Sequence, residues 1–342
     1  MSELVSADKS KMRVMSGVRV TGKLHIGHYF GVLRNWVQLQ NEYDCYFGAM
    51  DWHGMTSHYK TASEIDPNTR DMIAEYYAWG IDFDKNPVFI QSLVPEHIEL
   101  FMVFANLTPL GWLERVPTWK DAIEEAKQSD TYNLGRFAYP VLQAADIAIY
   151  RGNLVPIGQD QVAHLELSRE IVRRFNSIYK AKLPEPKPLF TETPLVPGLD
   201  GRKMSKSYGN VLELSEDSKS LEKKIKQMPT DPARVRREDK GNPDVCNVHT
   251  YHTLFSTKED IKWVREGCTS AGIGCGDCKG RLSSNINKLA EKPRELKKEL
   301  LADEKKLDLM IKTGNERARN EAQKTLKIVH KCMKFNGGLN LE

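Results

Sequence analysis

Arg13-Val-Met-Ser-Gly-Val-Arg-Val-Thr-Gly-Lys-Leu-His-Ile-Gly-His28 is the stretch whose reading decides the fold. Its opening, Arg13 to Val18, reads as a buried strand that ends in Arg19-Val-Thr-Gly22. From Gly27 to about Asn41 the apolar positions Phe30, Leu33, Val37 and Leu39 form a helical stripe. Cys45-Tyr-Phe-Gly-Ala-Met50 is a second buried strand, ending at Asp51-Trp-His53. A helix from about Asn68 to Gly80 and a third strand at Pro87-Val-Phe-Ile-Gln91 follow. This alternation predicts an α/β fold with a doubly wound parallel sheet. In such sheets ligands sit at the carboxyl ends of strands, beside helix N-termini. Thr21, Gly22, His25, Gly27, His28 and His53 all fall at such ends.

Outward from this core, residues from about Glu96 to Arg151 read as a helical insertion between the halves of the sheet. Within it Tyr139, Gln143, Asp146 and Tyr150 share one helix face, and Ala138, Leu142, Ala145 and Ile149 form the apolar stripe beside it. A pocket wall and an exposed face both produce this pattern. Leu154-Val-Pro-Ile157 returns to strand, followed by Gly158-Gln-Asp-Gln161 and a helix to about Phe175. The Pro-rich run Leu183 to Gly198 reads as a loop leading into Gly201-Arg-Lys-Met-Ser-Lys-Ser207. From Asp217 the chain is expected to be helical apart from a cysteine-rich region. The expected organisation is a flexible extension over 1–12, a catalytic domain over 13–210 and a helical domain over 211–342.

At 342 residues, 40% hydrophobic and 28% charged, the chain suits two globular domains. No apolar run reaches the roughly 18 residues that span a bilayer, and the polar N-terminus lacks a signal-peptide core. Both observations point to a cytoplasmic protein without a membrane partner. The net charge is +4, yet residues 281–342 hold 15 Lys and Arg against 9 Asp and Glu, leaving −2 elsewhere. A basic helical tail suits a polyanionic partner, although a solvated helix face carries the same charge.

Thr21-Gly-Lys-Leu-His-Ile-Gly-His28 and Lys203-Met-Ser-Lys-Ser207 are each weak signals alone. Together and in this order they resemble the HIGH and KMSKS signatures of class I aminoacyl-tRNA synthetases. Splitting ATP between its α- and β-phosphates needs cations aimed at the triphosphate, which Lys203 and Lys206 can supply. It also needs donors beneath the α-phosphate, which imidazoles and amides at a helix start provide. On this reading Thr21, His25, His28, Lys203 and Lys206 are the catalytic set.

The chain from about Arg13 to Phe335 resembles the bacterial-type tryptophanyl-tRNA synthetases. The resemblance is carried by Ser16-Gly-Val-Arg-Val-Thr-Gly22, Asp51-Trp-His53, Tyr139-Pro-Val-Leu-Gln-Ala-Ala-Asp-Ile147, Val155-Pro-Ile-Gly-Gln-Asp-Gln161 and Lys203-Met-Ser-Lys-Ser207. It implies that Asp146 accepts the indole N–H of L-tryptophan. Indole has one donor and no acceptor, so a site built on that bond rejects Phe. The resemblance further implies that Tyr139 and Gln161 hold the α-ammonium group. By the same resemblance His53, Gln143, Val155 and Ile157 line the pocket, with Met15 and Gly17 near the indole and the adenylate. Arg19, Val20, Thr21, Gly27, His28, Gly158, Gln159, Asp160 and Thr193 match ATP-contacting positions, as do Lys203, Met204, Ser205, Lys206 and Ser207. Two positions depart from the family: His28 stands where several members have Asn, and Gln159 replaces an acidic residue.

The implied chemistry is activation of tryptophan by ATP, with Mg²⁺ on the phosphates, and transfer to tRNA(Trp) by a homodimer. The apolar helices between about Phe101 and Leu113 are candidates for the interface. The nearest alternative is a tyrosyl-tRNA synthetase, whose loop usually reads Gly-Ser-Asp-Gln where this chain has Gly158-Gln-Asp-Gln161. A nucleotidyltransferase without tRNA and a catalytically silent relative fit less well, given the basic C-terminus and the intact Lys203, Lys206, His25 and His28.

Cys246, Cys268, Cys275 and Cys278 form a set closed by a Cys-x-x-Cys pair. Spacing alone makes structural Zn²⁺ the default. The glycines at 267, 272, 274, 276 and 280 and a resemblance to the [4Fe–4S]-binding C-terminal domain of a subset of these synthetases favour an iron–sulfur cluster. That subset has one more residue in the first gap. Arg234, Arg236 and Arg237 would then be natural contacts to the tRNA anticodon.

Overall fold

The computed structural model describes residues 12–116, 119, 123, 133–191 and 194–335. Thr193 and residues 1–11 of the expected extension lie outside them, as does part of the helical insertion. Five parallel strands form one sheet in the order β3-β2-β1-β4-β5: β1 (Arg13–Arg19), β2 (Asp44–Met50), β3 (Val88–Ile90), β4 (Leu154–Ile157) and β5 (Lys187–Phe190). The chain winds outward from β1 to β3, then returns across β1 to build β4 and β5. The switch point therefore lies between β1 and β4, where an open α/β sheet forms its ligand crevice.

β1 is followed by α1 (Ile26–His28), a π-helical turn over Tyr29–Leu33 and α2 (Arg34–Leu39). β2 runs directly into α3 (Asp51–His58), so Asp51-Trp-His53 is a first helical turn rather than a strand end. α4 (Ile65–Ala78) leads to β3. Then come α5 (Glu96–Ala105), α6 (Leu110–Glu114) and α7 (Leu134–Ile149) before β4, and α8 (Val162–Tyr179) after it. The C-terminal part holds α9 (Ser218–Gln227), α10 (Asn247–Phe255), α11 (Lys258–Thr269), α12 (Cys275–Ala302) and α13 (Glu304–Met333). The cysteine region is therefore more helical than its glycines suggest: Cys268 lies in α11, and Cys275 and Cys278 in the first turn of α12.

The Pro-rich run expected to be loop contains β5, which pairs in register with β4 from Leu154↔Lys187 to Ile157↔Phe190. Proline cannot donate to a ladder, and Pro188 sits in β5, an edge strand of the sheet, where the missing donor costs least.

Because strand side chains alternate, the sheet has a core on each face, as expected for a parallel sheet. Val14, Phe47, Leu33 and Trp36 pack on one side, where Trp36 stacks on Phe47 at 4.4 Å. Met15, Tyr46, Phe89, Phe104, Tyr150 and Phe175 pack on the other. The first core runs on without a break into Leu212, Leu221, Ile225, Leu282, Ile286 and Leu300. α13 contributes Leu307 and Ile311 to the first core and Ala318, Ala322 and Val329 to the second. It crosses the β3 edge at Gly314, and Asn315 Oδ1 accepts the Ile90 N–H at 3.0 Å. An edge that would otherwise offer free amides is thereby covered.

Candidate active site

A cleft of about 440 Å³ opens at the switch point. Met15, Gly17 and Arg19 reach it from β1, His53 from α3, and Tyr139, Gln143 and Asp146 from α7. Val155 and Ile157 reach it from β4, with Gly158 and Gln161 from the turn that follows. All nine residues expected to meet tryptophan thus line one cavity, and Tyr139, Gln143 and Asp146 of the polar stripe form one of its walls, while Tyr150 is buried behind it. Gly17 leaves room for Met50: a Cβ there would come within 2.3 Å of Met50 Cε, which would have to move aside.

Asp146 is buried at the base of this cleft, 2% exposed. His53 Nε2 lies 2.7 Å from its Oδ2, while Gln91 Nε2 donates to Oδ1 at 2.7 Å and His97 Nδ1 meets Oδ1 at 2.7 Å. Burial works against the charge, but His53 and the bonds from His53 and His97 outweigh it and push the carboxyl down to about 2. A carboxylate offers about four acceptor sites. Three are taken, and the fourth is on Oδ2, the oxygen with the single partner. His97 is in turn held by Tyr150, whose hydroxyl lies 2.7 Å from Nε2. Gln91 and His97 escaped the sequence reading because they sit after β3 and in the first turn of α5, where no periodicity ties them to Asp146. Tyr139 projects its hydroxyl to His164 Nε2 at 2.7 Å.

The second half of the site is the Thr21–His28 loop. His25 caps α1, its Nδ1 accepting the Gly27 N–H at 3.2 Å, and His28 Nδ1 accepts the His25 N–H at 3.1 Å. Both rings therefore keep Nε2 as the protonated nitrogen. Burial lowers His25 to about 4, with Lys206 adding to the effect. Burial, then His25 and Lys206, lowers His28 to about 3. Both are neutral donors at physiological pH. The π-helical turn that follows exposes Gly31 and Val32 to the cleft, and such turns recur at functional sites.

The Lys203–Ser207 loop rests on this segment. Lys206 Nζ donates to the Thr21 carbonyl at 3.0 Å, and crowding of its ammonium lowers it to about 8, partly offset by Glu213. Met204 approaches Gly27. Asn210 clasps the turn, accepting the Ser205 N–H at 2.8 Å and donating to the Lys203 carbonyl at 3.1 Å and to Asp200 at 2.8 Å. Lys203 is exposed, its side chain toward solvent.

Some expected contacts are not brought together. Val20 is a core residue, with its N–H on the Met50 carbonyl and its own carbonyl against Gly54. Gln159 and Asp160 follow Gly158 in a short 3₁₀ turn. The side chains of Asp160 and Ser207 lie outside the described residues, as does Thr193.

The four cysteines lie in the C-terminal helical part, near enough to influence one another's thiols. Burial, then Cys246, Cys268 and Cys275, pushes the Cys278 thiol up to about 12. Cys278 Sγ lies 3.4 Å from His252 Nε2, and Cys268 Sγ accepts from Arg234 Nη1 at 3.9 Å. The thiols are thus close enough to perturb one another. Among the described residues, no group of three or more His, Cys, Asp or Glu is gathered so as to hold a metal ion.

The profile of the family described as tRNA synthetases class I (W and Y) matches residues 7–291. The chain is 47% identical over 324 residues to the tryptophan–tRNA ligase of Thermotoga maritima, covering 94% of this chain and 99% of that one. It is 40% identical to that of Aquifex aeolicus, covering 94% and 99% respectively. The tryptophanyl-tRNA synthetase of Campylobacter jejuni, solved with ADP and tryptophan, superposes with a TM-score of 0.87 at 32% identity, over 95% of this chain and all of that one. With the cleft, both signature loops and these likenesses in agreement, the chain belongs to the tryptophan–tRNA ligases of the class I tRNA synthetase family.

Proposed function

We propose that the cleft between β1 and β4 binds L-tryptophan with its indole N–H on Asp146 Oδ2, and that ATP lies between the His25–His28 loop and Lys206. The observation that carries this reading is the Asp146 clamp. Three donors hold the carboxylate ionised and fixed, with one acceptor position left toward the cleft. The ionised Asp146 presents only acceptors, which suits indole, a ring with one N–H donor and no acceptor, so the site favours tryptophan. Tyr139 and Gln161 face the same cavity and suit the α-ammonium group.

In this pose the tryptophan carboxylate attacks the α-phosphorus in line. The Nε2–H groups of His25 and His28 and the first amides of α1 receive the developing charge on the α-phosphate. Lys206 and Lys203 take the β- and γ-phosphates, and the pyrophosphate leaves toward them. No side chain acts as nucleophile; positioning and charge supply the rate. Mg²⁺ would neutralise the phosphates. The acyl group then passes to the terminal adenosine of tRNA(Trp), the activity that assigns the protein to the cytoplasm.

We read 13–210 as the catalytic unit and 211–342 as the helical unit that meets the tRNA anticodon through Arg234, Arg236 and Arg237. We infer a [4Fe–4S] cluster on the four cysteines from their spacing and the glycine-rich chain around them, and binding it would have to draw the thiols closer together than the described residues hold them. Anaerobically purified protein is expected to be brown, with about four irons per chain; colourless protein with one zinc would favour the alternative.

The test of the reaction is exchange of pyrophosphate into ATP with Trp, Tyr and Phe offered separately. Exchange with Trp alone is expected. Exchange with Tyr would overturn the assignment of Asp146.

A further inference from the structure

Far from the cleft, Glu75 of α4 is 1% exposed and uses both oxygens. Oε1 accepts Lys297 Nζ of α12 at 2.8 Å. Oε2 accepts the Ser215 hydroxyl at 2.9 Å and the Trp79 indole N–H at 3.0 Å. Lys297 also reaches Asp71 at 2.7 Å. Burial opposes its charge, but Glu75 and Asp71 outweigh that effect and raise its pKa. A charge pair this deep contributes little net stability compared with apolar packing, while removal of one partner is costly. Its use is better sought in what it holds in place.

Both Oε2 partners lead to the active site. Ser215 ends the segment that leaves the Lys203–Lys206 loop, and this segment is bonded to the other signature loop: the Ile26 N–H donates to the Leu212 carbonyl and the Leu214 N–H to the Leu24 carbonyl, each at 3.0 Å. Trp79 packs its ring on Tyr29 at 4.7 Å, in the π-helical turn behind His28. One carboxylate oxygen thus holds the trailing end of the lysine loop and the helix of the histidine loop at once. The other is fixed from the C-terminal helix α12.

We propose that Glu75, fixed by Lys297, is a positioning residue for the ATP half of the site, setting the register of the Lys206 loop against Thr21–His28 through Ser215. The inference rests on the reading of Lys206 as an ATP ligand. It gives α12 a direct mechanical link to the lysine loop, so the C-terminal helices and the activation site share one buried contact.

The test is steady-state pyrophosphate exchange on Ser215→Ala, which leaves the Glu75–Lys297 pair intact. The KM for ATP should rise about ten-fold, the effect of losing one hydrogen bond to a charged acceptor, while the KM for tryptophan stays unchanged. Ser215→Thr, which keeps the hydroxyl, should restore the parent value. Hydrogen exchange at the Leu214 and Ile26 amides should quicken in Ser215→Ala and not in Ser215→Thr. Lys297→Met should reproduce the ATP-selective defect, and Lys297→Arg should relieve it. An unchanged KM for ATP in Ser215→Ala, or an equal rise for both substrates, overturns the proposal. Lys206→Ala run alongside separates the two failures: loss of exchange there with an unaffected Ser215→Ala refutes only the positioning role, whereas an unaffected Lys206→Ala refutes the reading beneath it.

Discussion

Two imidazoles with ring centroids 3.9 Å apart, beside an ammonium, are poor candidates for proton carriers. Their burial and Lys206 hold His25 near 4 and His28 near 3, so they work as fixed dipoles rather than acids. The titrating group is Lys206, lowered from its ordinary 10.5 to about 8. An ammonium lowered in this way is charged below pH 8 and loses its charge as the pH rises through that value. Because kcat/KM reports the free enzyme, kcat/KM for ATP should fall about ten-fold per pH unit above 8. Lys206→Arg should move that limb beyond pH 10, since a guanidinium stays charged. A pH profile of pyrophosphate exchange with limiting ATP reads this directly, and a limb unmoved by the arginine would assign the titration elsewhere. At this scale the sequence was legible wherever chemistry is local. The two loops and the face of α7 could be read from spacing and resemblance. Gln91 and His97, which fix Asp146, could not, because only the closing of β3 and α5 over α7 creates their contact.

Secondary elements were readable where an apolar period dominates, as in β1, β2 and α4, and failed where tertiary context overrides composition. β5 is the example. Pro188 and mixed exposure hide it, and only pairing with β4 makes it a strand. α13 shows the reverse case, a helix easily read whose partner was not. It crosses the β3 edge so closely that a Cβ on Gly314 would stand 1.9 Å from the Val88 carbonyl oxygen. That oxygen belongs to the backbone of a sheet strand and cannot move aside. Gly314→Ala should therefore displace α13, breaking the Asn315 bond to Ile90, and destabilise by at least the 1–3 kcal/mol or so typical of overpacking. Thermal unfolding should register a lowered midpoint. A midpoint equal to that of the parent would mean that α13 does not seat on β3.

At the scale of the whole molecule, several large apolar side chains of the described residues are exposed on neighbouring helices. Trp52, Tyr59, Ile98, Met102, Leu110 and Leu134 are exposed along α3, α5, α6 and α7 and the turn after α3. Beneath several of them lies a second, apolar cavity of about 370 Å³ lined by Trp52, Met55, Tyr59, Ile98, Phe101 and Leu142. Apolar surface of this kind is where a partner would seat, and it includes the start of the Phe101–Leu113 stretch expected to pair. Tyr139 lines this cavity and the tryptophan cleft alike, and Trp52 adjoins His53. A second copy seated here would therefore bear on the tryptophan pocket itself. Met102 is 59% exposed, so Met102→Glu should be harmless to the folded chain. If this face pairs, each copy buries one carboxylate in an apolar contact, and that desolvation should weaken pairing by about a hundred-fold or more. Sedimentation velocity at micromolar protein should show a dimer for the parent and a monomer for Met102→Glu, with the KM for tryptophan raised in the monomer and that for ATP less affected. A parent chain that sediments as a monomer would leave this face to another partner and the tryptophan pocket complete within one subunit.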